Sequence, residues 1–436
     1  MKDTFASFQK NLRNMGRGVY PASSSDRPAP HELKHHQRPT LGTRAAVCLL
    51  SLIASILFTG RASAADLTAF VNEQYAFAAT QYEGMLKSLE GQNRFPRSYA
   101  RGRLALVGPR DWTSGFFPGS LWLLHEHTGD PKWKAHATNY TQRLEAIKSY
   151  GETHDLGFML YCSYGNGYRL TRDPAYRDVL IAGARTLASR FNPTVGLIRS
   201  WDWGTWKYPV IIDNMMNLEL LMFAHKETGE DMFRDVAIKH ADTTLKNHFR
   251  PDNSTFHVVD YDPATGAILS KETRQGYNDA SAWARGQTWG LYGYVMMHRE
   301  TKNVAYLDQA RKIAEFLIHH TNMPSDKVPY WDFNAPGIPN EPRDASAAAI
   351  MASALLELSD FVEPADAARY REFATAQLRS LASPAYRANP GENGHFLLMH
   401  GVGDLPRQGE VDAPLVYADY YFLEALSRLK TRSSAN

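Results

Sequence analysis

The chain has 436 residues, and its 48 Lys and Arg side chains nearly balance 46 Asp and Glu side chains, for a formal net charge of +2. This balance argues against a dedicated nucleic-acid binder, and two cysteines cannot build a disulfide framework. The 44% apolar share is ordinary for a folded protein, whereas 12% aromatic residues, nine of them Trp, are typical of proteins that bind flat apolar ligands such as sugar rings.

Residues 1–64 are predicted to be a leader with a signal peptide, and residues 65–436 a single catalytic domain. The stretch 45–59 is apolar and uncharged, and Ala62-Ser63-Ala64 has the small-residue pattern of a signal peptidase site. A membrane span needs roughly 20 apolar residues, so this stretch is short for one, although a signal anchor stays open as the alternative. The expected mature protein is exported to the periplasm without a membrane attachment. It carries 39 basic and 43 acidic residues, a net charge of −4.

After the leader, apolar residues recur at helical spacing in about a dozen segments, and Gly, Pro, Asn and Asp mark the connections between them. The predicted helices are 66–90, 115–128, 131–149, 154–171, 174–191, 212–228, 231–247, 280–300, 303–320, 343–360, 366–383 and 415–431. Residues 248–279 form the longest irregular stretch, for which we predict a short hairpin. Cys162, the cysteine that remains after cleavage, is expected to be a small core residue.

A weak internal repeat organises these helices. A Thr ends one helix, an acidic or amide residue follows two positions later, and an aromatic residue follows five positions later. The copies are 128–133, 171–176, 228–233 and 301–306. Their irregular spacing suits helical hairpins, and twelve helices in six hairpins predict an all-α (α/α)6 barrel. An irregular α-solenoid is the alternative. We expect the chemistry at the opposite face, where the connections are long.

Two aspartates are candidates for acid/base catalysis. Asp155 follows His154 at the start of a predicted helix, and Asp213 directly follows the apolar run 210–212. For both, a simple helix N-cap is the competing interpretation. Apolar neighbours tend to raise a carboxyl pKa, as a general acid near neutral pH requires, so Asp213 is the candidate acid. Two carboxylates in unlike settings fit an acid/base pair.

The stretch 274–290 is dense in side chains that face ligands in other proteins. Arg285 and Trp289 share a helix face, and Trp283 lies near the start of that helix. The planar guanidinium of Arg285 suits a carboxylate, and the Trp rings beside it suit a pyranose ring. The alternative is a surface cation–π pair with a core Trp. Trp112 and Trp201 lie in similar sequence settings. A single Trp there is more often a core residue than a ligand contact, and a lone His such as His257 usually has a structural role.

Metal and nucleotide sites find little support in the sequence. The mature chain contains no HExxH motif, no G-x-G-x-x-G or Walker loop, and no G-x-S-x-G nucleophile elbow. We therefore expect neither a metal nor another cofactor.

These residues resemble a known family, the unsaturated glucuronyl hydrolases of glycoside hydrolase family 88. The similarity runs through nearly the whole mature chain and implies the (α/α)6 barrel without a metal. Its motifs occur in this order: Asp111-Trp-Thr-Ser-Gly-Phe-Phe-Pro-Gly119, His154-Asp-Leu-Gly-Phe158, Ile211-Ile-Asp-Asn214, Arg285-Gly-Gln-Thr-Trp-Gly290, Tyr330-Trp-Asp-Phe333, Arg343-Asp-Ala-Ser346 and Tyr417-Ala-Asp-Tyr-Tyr-Phe-Leu-Glu-Ala-Leu426.

The resemblance implies a hydrolase that hydrates the C4=C5 double bond that polysaccharide lyases leave in a terminal uronic acid. It makes Asp213 the general acid/base that protonates C4 and helps water to add at C5, and Asp155 the second essential aspartate. The positions that match the family's sugar contacts are Trp112, His154, Trp201, His257, Gln275, Trp283, Arg285 and Trp289. The chemistry of Arg285 suits it to hold the uronate carboxylate.

The 400–414 loop lies where family members recognise the next sugar, and it matches no known sulfate-binding pattern. Arg407 is its one Arg or Lys. The source polymer of the unsaturated oligosaccharide, a glycosaminoglycan or another uronate polymer, therefore stays open, as do sulfate preference and oligomeric state. A rhamnogalacturonyl hydrolase acting on pectin fragments and a non-catalytic sugar-binding barrel are the alternative functions. No nucleic-acid partner is expected.

Overall fold

The computed structural model describes residues 64–433, and most of these residues lie in helices. A π-helix, Gly157–Gly165, leads into α4, and a 3-10 helix, Ile212–Asn217, leads into α6. The predicted leader lies outside the described residues except for Ala64. The helices are α1 (Ala64–Ser88), α2 (Phe116–Thr128), α3 (Pro131–Gln142), α4 (Asn166–Thr171), α5 (Pro174–Ala188), α6 (Leu218–Thr228), α7 (Asp231–Asn247), α8 (Ala284–Thr301), α9 (Val304–His319), α10 (Ala345–Leu358), α11 (Pro364–Leu381) and α12 (Val416–Ser433).

Alternate helices form two concentric layers. The even-numbered helices, with the π-helix extending α4, form an inner ring in which each helix contacts the next and α12 contacts α2. The odd-numbered helices cover the ring from outside, and α1 contacts both α2 and α12. This closure confirms the predicted (α/α)6 barrel. The α-solenoid alternative is wrong, because the last helix returns to the first pair.

The inner helices α8 and α10 illustrate why the ring is tightly packed. All of α10 is buried, and its alanine-rich sequence lets neighbouring helices approach closely. The first 15 residues of α8 are buried as well. A helix that is buried on every side belongs to a core rather than to a surface. Within residues 64–433, no helix has the length and apolar character needed to cross a membrane.

The repeated turns connect inner helices to outer helices. In the first copy, the Thr128 hydroxyl donates to the carbonyl of Leu124 at 2.7 Å and accepts from the amide of Asp130 at 3.2 Å. Asp130 then caps α3 by accepting from the amide of Lys132, and Trp133 is buried. The same Thr bonds recur at Thr171, Thr228 and Thr301. The sequence repeat thus corresponds to one Thr-centred turn that precedes four of the outer helices, α3, α5, α7 and α9.

The long connections run from outer to inner helices, so they gather at the barrel end opposite the repeated turns. Short antiparallel strands occur within them: β1 (Phe95–Ala100) with β2 (Arg103–Val107), β3 (Phe191–Asn192) with β4 (Leu197–Ile198), β5 (Pro209–Ile211) with β6 (Val258–Tyr261) and β7 (Ile268–Glu272), and β8 (Gly401–Asp404) with β9 (Gly409–Ala413). The β6–β7 pair confirms the hairpin predicted in 248–279. The other hairpins are not predicted by the alternation of apolar residues, because their strands are short and several carry Gly or charged residues.

Candidate active site

Asp213 lies on the 3-10 helix before α6, directly after β5. The amide of Ile212 donates to the carbonyl of His257 at 3.1 Å, which ties the start of this helix to the neighbouring strand region. The Asp213 side chain is 12% exposed, and its Oδ2 atom has no hydrogen-bond partner in the protein. Burial raises the pKa of Asp213 to about 7, although the Arg285 cation acts in the opposite direction. Asp213 is therefore a carboxyl group that can hold or release a proton near neutral pH.

His257 faces Asp213 in a defined tautomer. Its Nδ1 atom accepts hydrogen bonds from the backbone amides of Arg274 and Gln275, both at 3.2 Å. The ring proton is therefore on Nε2, which lies 3.9 Å from Oδ2 of Asp213. Burial keeps the pKa of His257 well below its ordinary value, so the imidazole is neutral. His257 is thus a neutral ring whose N–H group lies beside Asp213.

Asp155 lies at the start of the π-helix and is more exposed than Asp213, with 19% of its side chain accessible. It accepts from the hydroxyl of Thr153 at 2.7 Å, and its Oδ1 atom lies 3.2 Å from Nε2 of His154. Burial lowers the pKa of His154, so this ring is neutral too. The amide of Phe158 in the first turn of the π-helix donates to Asn217 rather than to Asp155, so the Asp155 carboxyl does not cap this helix. The charge of Asp155 contributes to the raised pKa of Asp213.

The π-helix that follows Asp155 and the 3-10 helix that carries Asp213 meet at Gly157 and Asn217. Oδ1 of Asn217 accepts from the amide of Phe158 at 3.0 Å. A Cβ atom on Gly157 would lie 2.6 Å from Cα of Asn217, so this close approach requires Gly. The contact fixes the π-helix that follows Asp155 against the 3-10 helix that carries Asp213. Sequence reasoning gave no role to Asn217, because its partner lies 59 residues away.

Tryptophan rings surround the aspartates. Trp112 is partly exposed, and the buried ring of Trp283 lies 4.4 Å from the imidazole of His257. Trp201 stacks on Trp203 with centroids 4.7 Å apart and planes 9° apart, and Trp203 is 50% exposed. Trp112 and the Trp201–Trp203 stack therefore offer aromatic surface to a ligand, whereas Trp283 forms the wall behind His257.

Arg285 is fully buried, and its guanidinium bonds to protein groups. Nη1 donates to Asp344 at 2.9 Å and to the carbonyl of Val402, and Nη2 donates to the carbonyl of Gly403 at 2.6 Å. The guanidinium also lies 4.6 Å from the centre of the Trp283 ring. Arg285 and Trp283 thus form a cation–π pair, as the alternative interpretation predicts, but this pair is buried rather than on the surface. The positive charge of Arg285 lowers the pKa of Asp213.

Trp289 requires a correction, because the structure places it in the core. Its side chain is fully buried, with its ring centroid 5.1 Å from that of Phe158 and 5.3 Å from that of Tyr421. The expected role as a plate for a sugar therefore finds no exposed ring face. Arg285 and Trp289 do share a helix, but both lie against neighbouring inner helices.

The β8–β9 hairpin, which contains most of the 400–414 loop, forms one side of the site. Gln275 Nε2 donates to the carbonyl of Gly403 at 2.8 Å. Arg407 donates to the backbone carbonyl of Arg274 at 2.5 Å, and the Arg274 guanidinium lies 4.4 Å from the centre of the Trp203 ring. Two cations therefore lie together at the rim. Sequence reasoning did not identify Arg274, whose position depends on the Trp203 ring 71 residues earlier in the chain.

Buried polar atoms without a protein partner gather in this region, and native proteins rarely leave such atoms unpaired. They include Oδ2 of Asp213, Nε2 of His257, Nε1 of Trp201 and the hydroxyl of Tyr417. They suit a ligand with several hydroxyl groups. In residues 64–433, no group of three or more His, Cys, Asp or Glu side chains has the arrangement of a metal site.

Comparison with known proteins identifies the family. An unsaturated glucuronyl hydrolase of Formosa agariphila is 48% identical over 365 residues, which cover 82% of this chain and 90% of that protein. The chain belongs to the unsaturated glucuronyl hydrolase family. It is therefore a glycoside hydrolase, as the sequence predicted. No family model matches the chain.

Two solved structures of unsaturated glucuronyl hydrolases extend this comparison. One, described as specific for heparin, is 48% identical, with a TM-score of 0.81 over 84% of this chain and 98% of its own. The other is a variant from Streptococcus agalactiae complexed with dGlcA-GalNAc6S. It is 29% identical, with a TM-score of 0.71 over 85% of this chain and 93% of its own. The described barrel is thus the fold of the family.

Proposed function

We propose that this unsaturated glucuronyl hydrolase removes the unsaturated uronic acid from the non-reducing end of lyase-generated oligosaccharides, with Asp213 as its general acid/base. One observation carries the proposal. Asp213 is a buried carboxyl group with a pKa of about 7, and its unpartnered Oδ2 faces a neutral imidazole. A group that must first give a proton and then take one back works best when its pKa lies near the working pH.

The reaction is a hydration of a vinyl ether. Asp213 donates its proton to C4, and positive charge develops at C5 and the ring oxygen. A water molecule bonds to C5 and returns a proton to the Asp213 carboxylate. The resulting C5 hemiketal opens, C1 loses the next sugar as its free hydroxyl, and one water is consumed overall. The carboxylate of Asp155 and the nearby Arg285 cation oppose each other in setting the pKa of Asp213.

The remaining site residues bind and orient the sugar in this proposal. Trp112 and Trp203, which stacks on the buried Trp201, supply aromatic surface for the pyranose ring, and the neutral His257 ring lies 3.9 Å from the Asp213 carboxyl. Asp155, with His154 beside it, accepts hydrogen bonds from ring hydroxyls. The N–H groups of Arg285 donate to Asp344 and Gly403 within the protein. Arg285 therefore supports binding of the uronate through its charge.

For the source polymer, we propose a glycosaminoglycan. The rim cations Arg274 and Arg407 suit an anionic sugar next to the uronate. Relatives named for heparin and for chondroitin disaccharides also favour this class. The mature chain carries a net charge of −4, so recognition of an anion must come from local cations rather than from the field of the whole protein.

The test is an assay of the ultraviolet absorbance of the C4=C5 bond across disaccharides from heparin, chondroitin and pectin lyases. Loss of absorbance with glycosaminoglycan products, together with release of the second sugar, is expected. Saturated disaccharides of the same composition are the control and should not react. Preference for the pectin products would establish the rhamnogalacturonyl alternative. Binding without turnover of any unsaturated substrate would establish the non-catalytic barrel.

We also propose export to the periplasm, with cleavage after Ala64. The support is the apolar stretch 45–59 followed by the Ala62-Ser63-Ala64 pattern. Mass spectrometry of the N-terminus from cell fractions tests this: a periplasmic protein that begins at Ala65 is expected. A membrane-bound chain that retains the apolar stretch would instead establish the signal anchor.

A further inference from the structure

A fully buried ion pair connects two inner helices beside the active site. Arg285 lies on the first turn of α8, Asp344 caps α10, and their side chains are 1% and 0% exposed. Oδ1 of Asp344 accepts from the amide of Ser346 at 3.0 Å and from its hydroxyl at 2.5 Å. Oδ2 of Asp344 is left for the guanidinium of Arg285. Both carboxylate oxygens are thus engaged, and the side chain has a single orientation.

The same guanidinium holds the β8–β9 hairpin. Arg285 donates to the carbonyls of Val402 and Gly403, while the amide of Val402 lies 3.5 Å from Oδ1 of Asp344. The second strand is held from its other side, where Arg97 donates to both oxygens of Glu410 at 2.6 and 2.9 Å. Charge-assisted hydrogen bonds of this kind are shorter and stronger than neutral ones. The hairpin is therefore fixed at two points rather than free to move.

We infer that Asp344 is a positioning residue that, through Arg285, holds the β8–β9 hairpin and the Arg285 cation in place beside Asp213. Asp344 does not face the ligand itself, since it is fully buried beneath the hairpin. Without its charge, the guanidinium loses the anion that fixes its orientation, and the hairpin loses the support under β8. The effect on proton transfer rests on the proposed role of Asp213, whereas the effect on the hairpin does not.

The electrostatic consequence has a definite sign. The groups that act on Asp213 are the Arg285 cation, the Asp155 carboxylate and the neutral ring of His257. The Arg285 cation already holds the pKa of Asp213 below the value that burial alone would give. Removal of the Asp344 charge leaves that cation without its counter-ion, so the pKa of Asp213 falls further. The protonated form that starts the reaction is then lost at lower pH.

The test compares Asp344→Asn with wild type, and Asp326→Asn serves as the matched control. Asp326 pairs with the adjacent Arg343 at 3.0 Å and with the hydroxyl of Tyr386 at 2.8 Å. For Asp344→Asn we expect KM to rise about fivefold, as loss of one charge-assisted bond implies. The alkaline limb of kcat/KM should move down by about half a pH unit. An unchanged KM and alkaline limb would overturn the inference, as would equal shifts in Asp326→Asn.

Hydrogen exchange at residues 401–413 gives a readout that needs no activity. Faster exchange there in Asp344→Asn than in Asp326→Asn is expected, and equal exchange would overturn the inference even if the proposed function holds. Absence of turnover in the wild type would contradict the proposed function alone. If Asp344→Asn does not fold, Ser346→Ala takes its place, because it removes a 2.5 Å bond to Asp344 and keeps the charge. A twofold rise in KM supports the inference in that variant, and an unchanged KM overturns it.

Discussion

Oδ2 of Asp213 lies 3.9 Å from Nε2 of His257, and neither atom has a hydrogen-bond partner in the protein. The ring is held in one tautomer by two backbone amides on its far side. Because burial keeps the imidazole neutral, an N–H group lies near the carboxyl without placing a cation there. A cation at this position would lower the pKa of the acid, whereas a neutral donor leaves it raised.

The pH dependence of kcat/KM follows from the pKa of Asp213. Its protonated form starts the reaction, so activity should be lost as the pH rises through about 7, the value to which burial raises this pKa. Above that point, each further pH unit should lower kcat/KM about tenfold. The measurement is a set of initial rates between pH 5 and 9. A rate that is flat or rising above pH 8 would contradict a protonated Asp213.

Asp213→Asn should stabilise the fold above pH 7. A carboxyl whose pKa is raised on folding stabilises the protein fully at low pH, and this contribution is lost as the pH rises through the folded pKa. Between about pH 4 and 7, wild type should therefore lose roughly 2–4 kcal/mol of unfolding free energy relative to the variant. Urea unfolding at pH 4 and at pH 8 measures this difference.

The matched control for that measurement is Asp366→Asn on the outer helix α11. The hydrogen bond from Arg369 lowers the pKa of Asp366, so its contribution has the opposite sign. Asp366→Asn should therefore be less stable than wild type at pH 8. If both variants changed stability in the same direction at pH 8, burial of the Asp213 carboxyl would not be the cause.

Much of the site could be predicted from local sequence, and the remainder depends on distant contacts. The apolar run before Asp213 correctly indicated a raised pKa, because the strand that it forms is buried. The neutral tautomer of His257 depends on the amides of Arg274 and Gln275, 17 and 18 residues later. The burial of Trp289 depends on the inner helices around it, which one helix pattern does not reveal.

Gly157→Ala should disrupt the contact between the π-helix that follows Asp155 and the 3-10 helix that carries Asp213. The added Cβ would lie 2.6 Å from Cα of Asn217, so backbone must shift. Such overpacking costs about 1–3 kcal/mol, and we expect a fall in kcat because Asp155 moves relative to Asp213. Gly183→Ala is the control, since its Cβ would meet no backbone and would approach closely only the side-chain end of Leu160, at 2.4 Å. Equal kcat in the two variants would contradict the positioning role of the Gly157–Asn217 contact.

Arg274→Gln should weaken binding of anionic substrates. Burial and the nearby Arg407 lower the pKa of Arg274, and a bound anion would relieve the repulsion between these cations. We expect KM for a sulfated disaccharide to rise about three- to tenfold, with a smaller rise for its unsulfated counterpart. The salt dependence of KM should also decrease. Lys312→Gln on the outer helix α9 is the control, and an equal effect there would exclude a local role for Arg274.

The spacing of apolar residues predicts the positions of most helices. Inner and outer helices then alternate along the chain. The main departures have physical causes. The helix predicted over 154–171 begins as a π-helix at Gly157, where it packs against Asn217. The helix predicted from 280 begins at Ala284, because Trp283 pairs in a bridge with Asp332. Both departures lie at the active-site end, where side-chain placement matters more than regular helix geometry.

The most direct test of the central claim is the absorbance assay on Asp213→Asn. The variant has nearly the same volume but no ionisable proton at this position. We predict a loss of at least about a hundredfold in kcat with an unchanged circular dichroism spectrum, because positioned acid/base groups contribute about 10²–10⁴ in rate. Full loss of the double bond's absorbance at the wild-type rate would contradict Asp213 as the general acid/base.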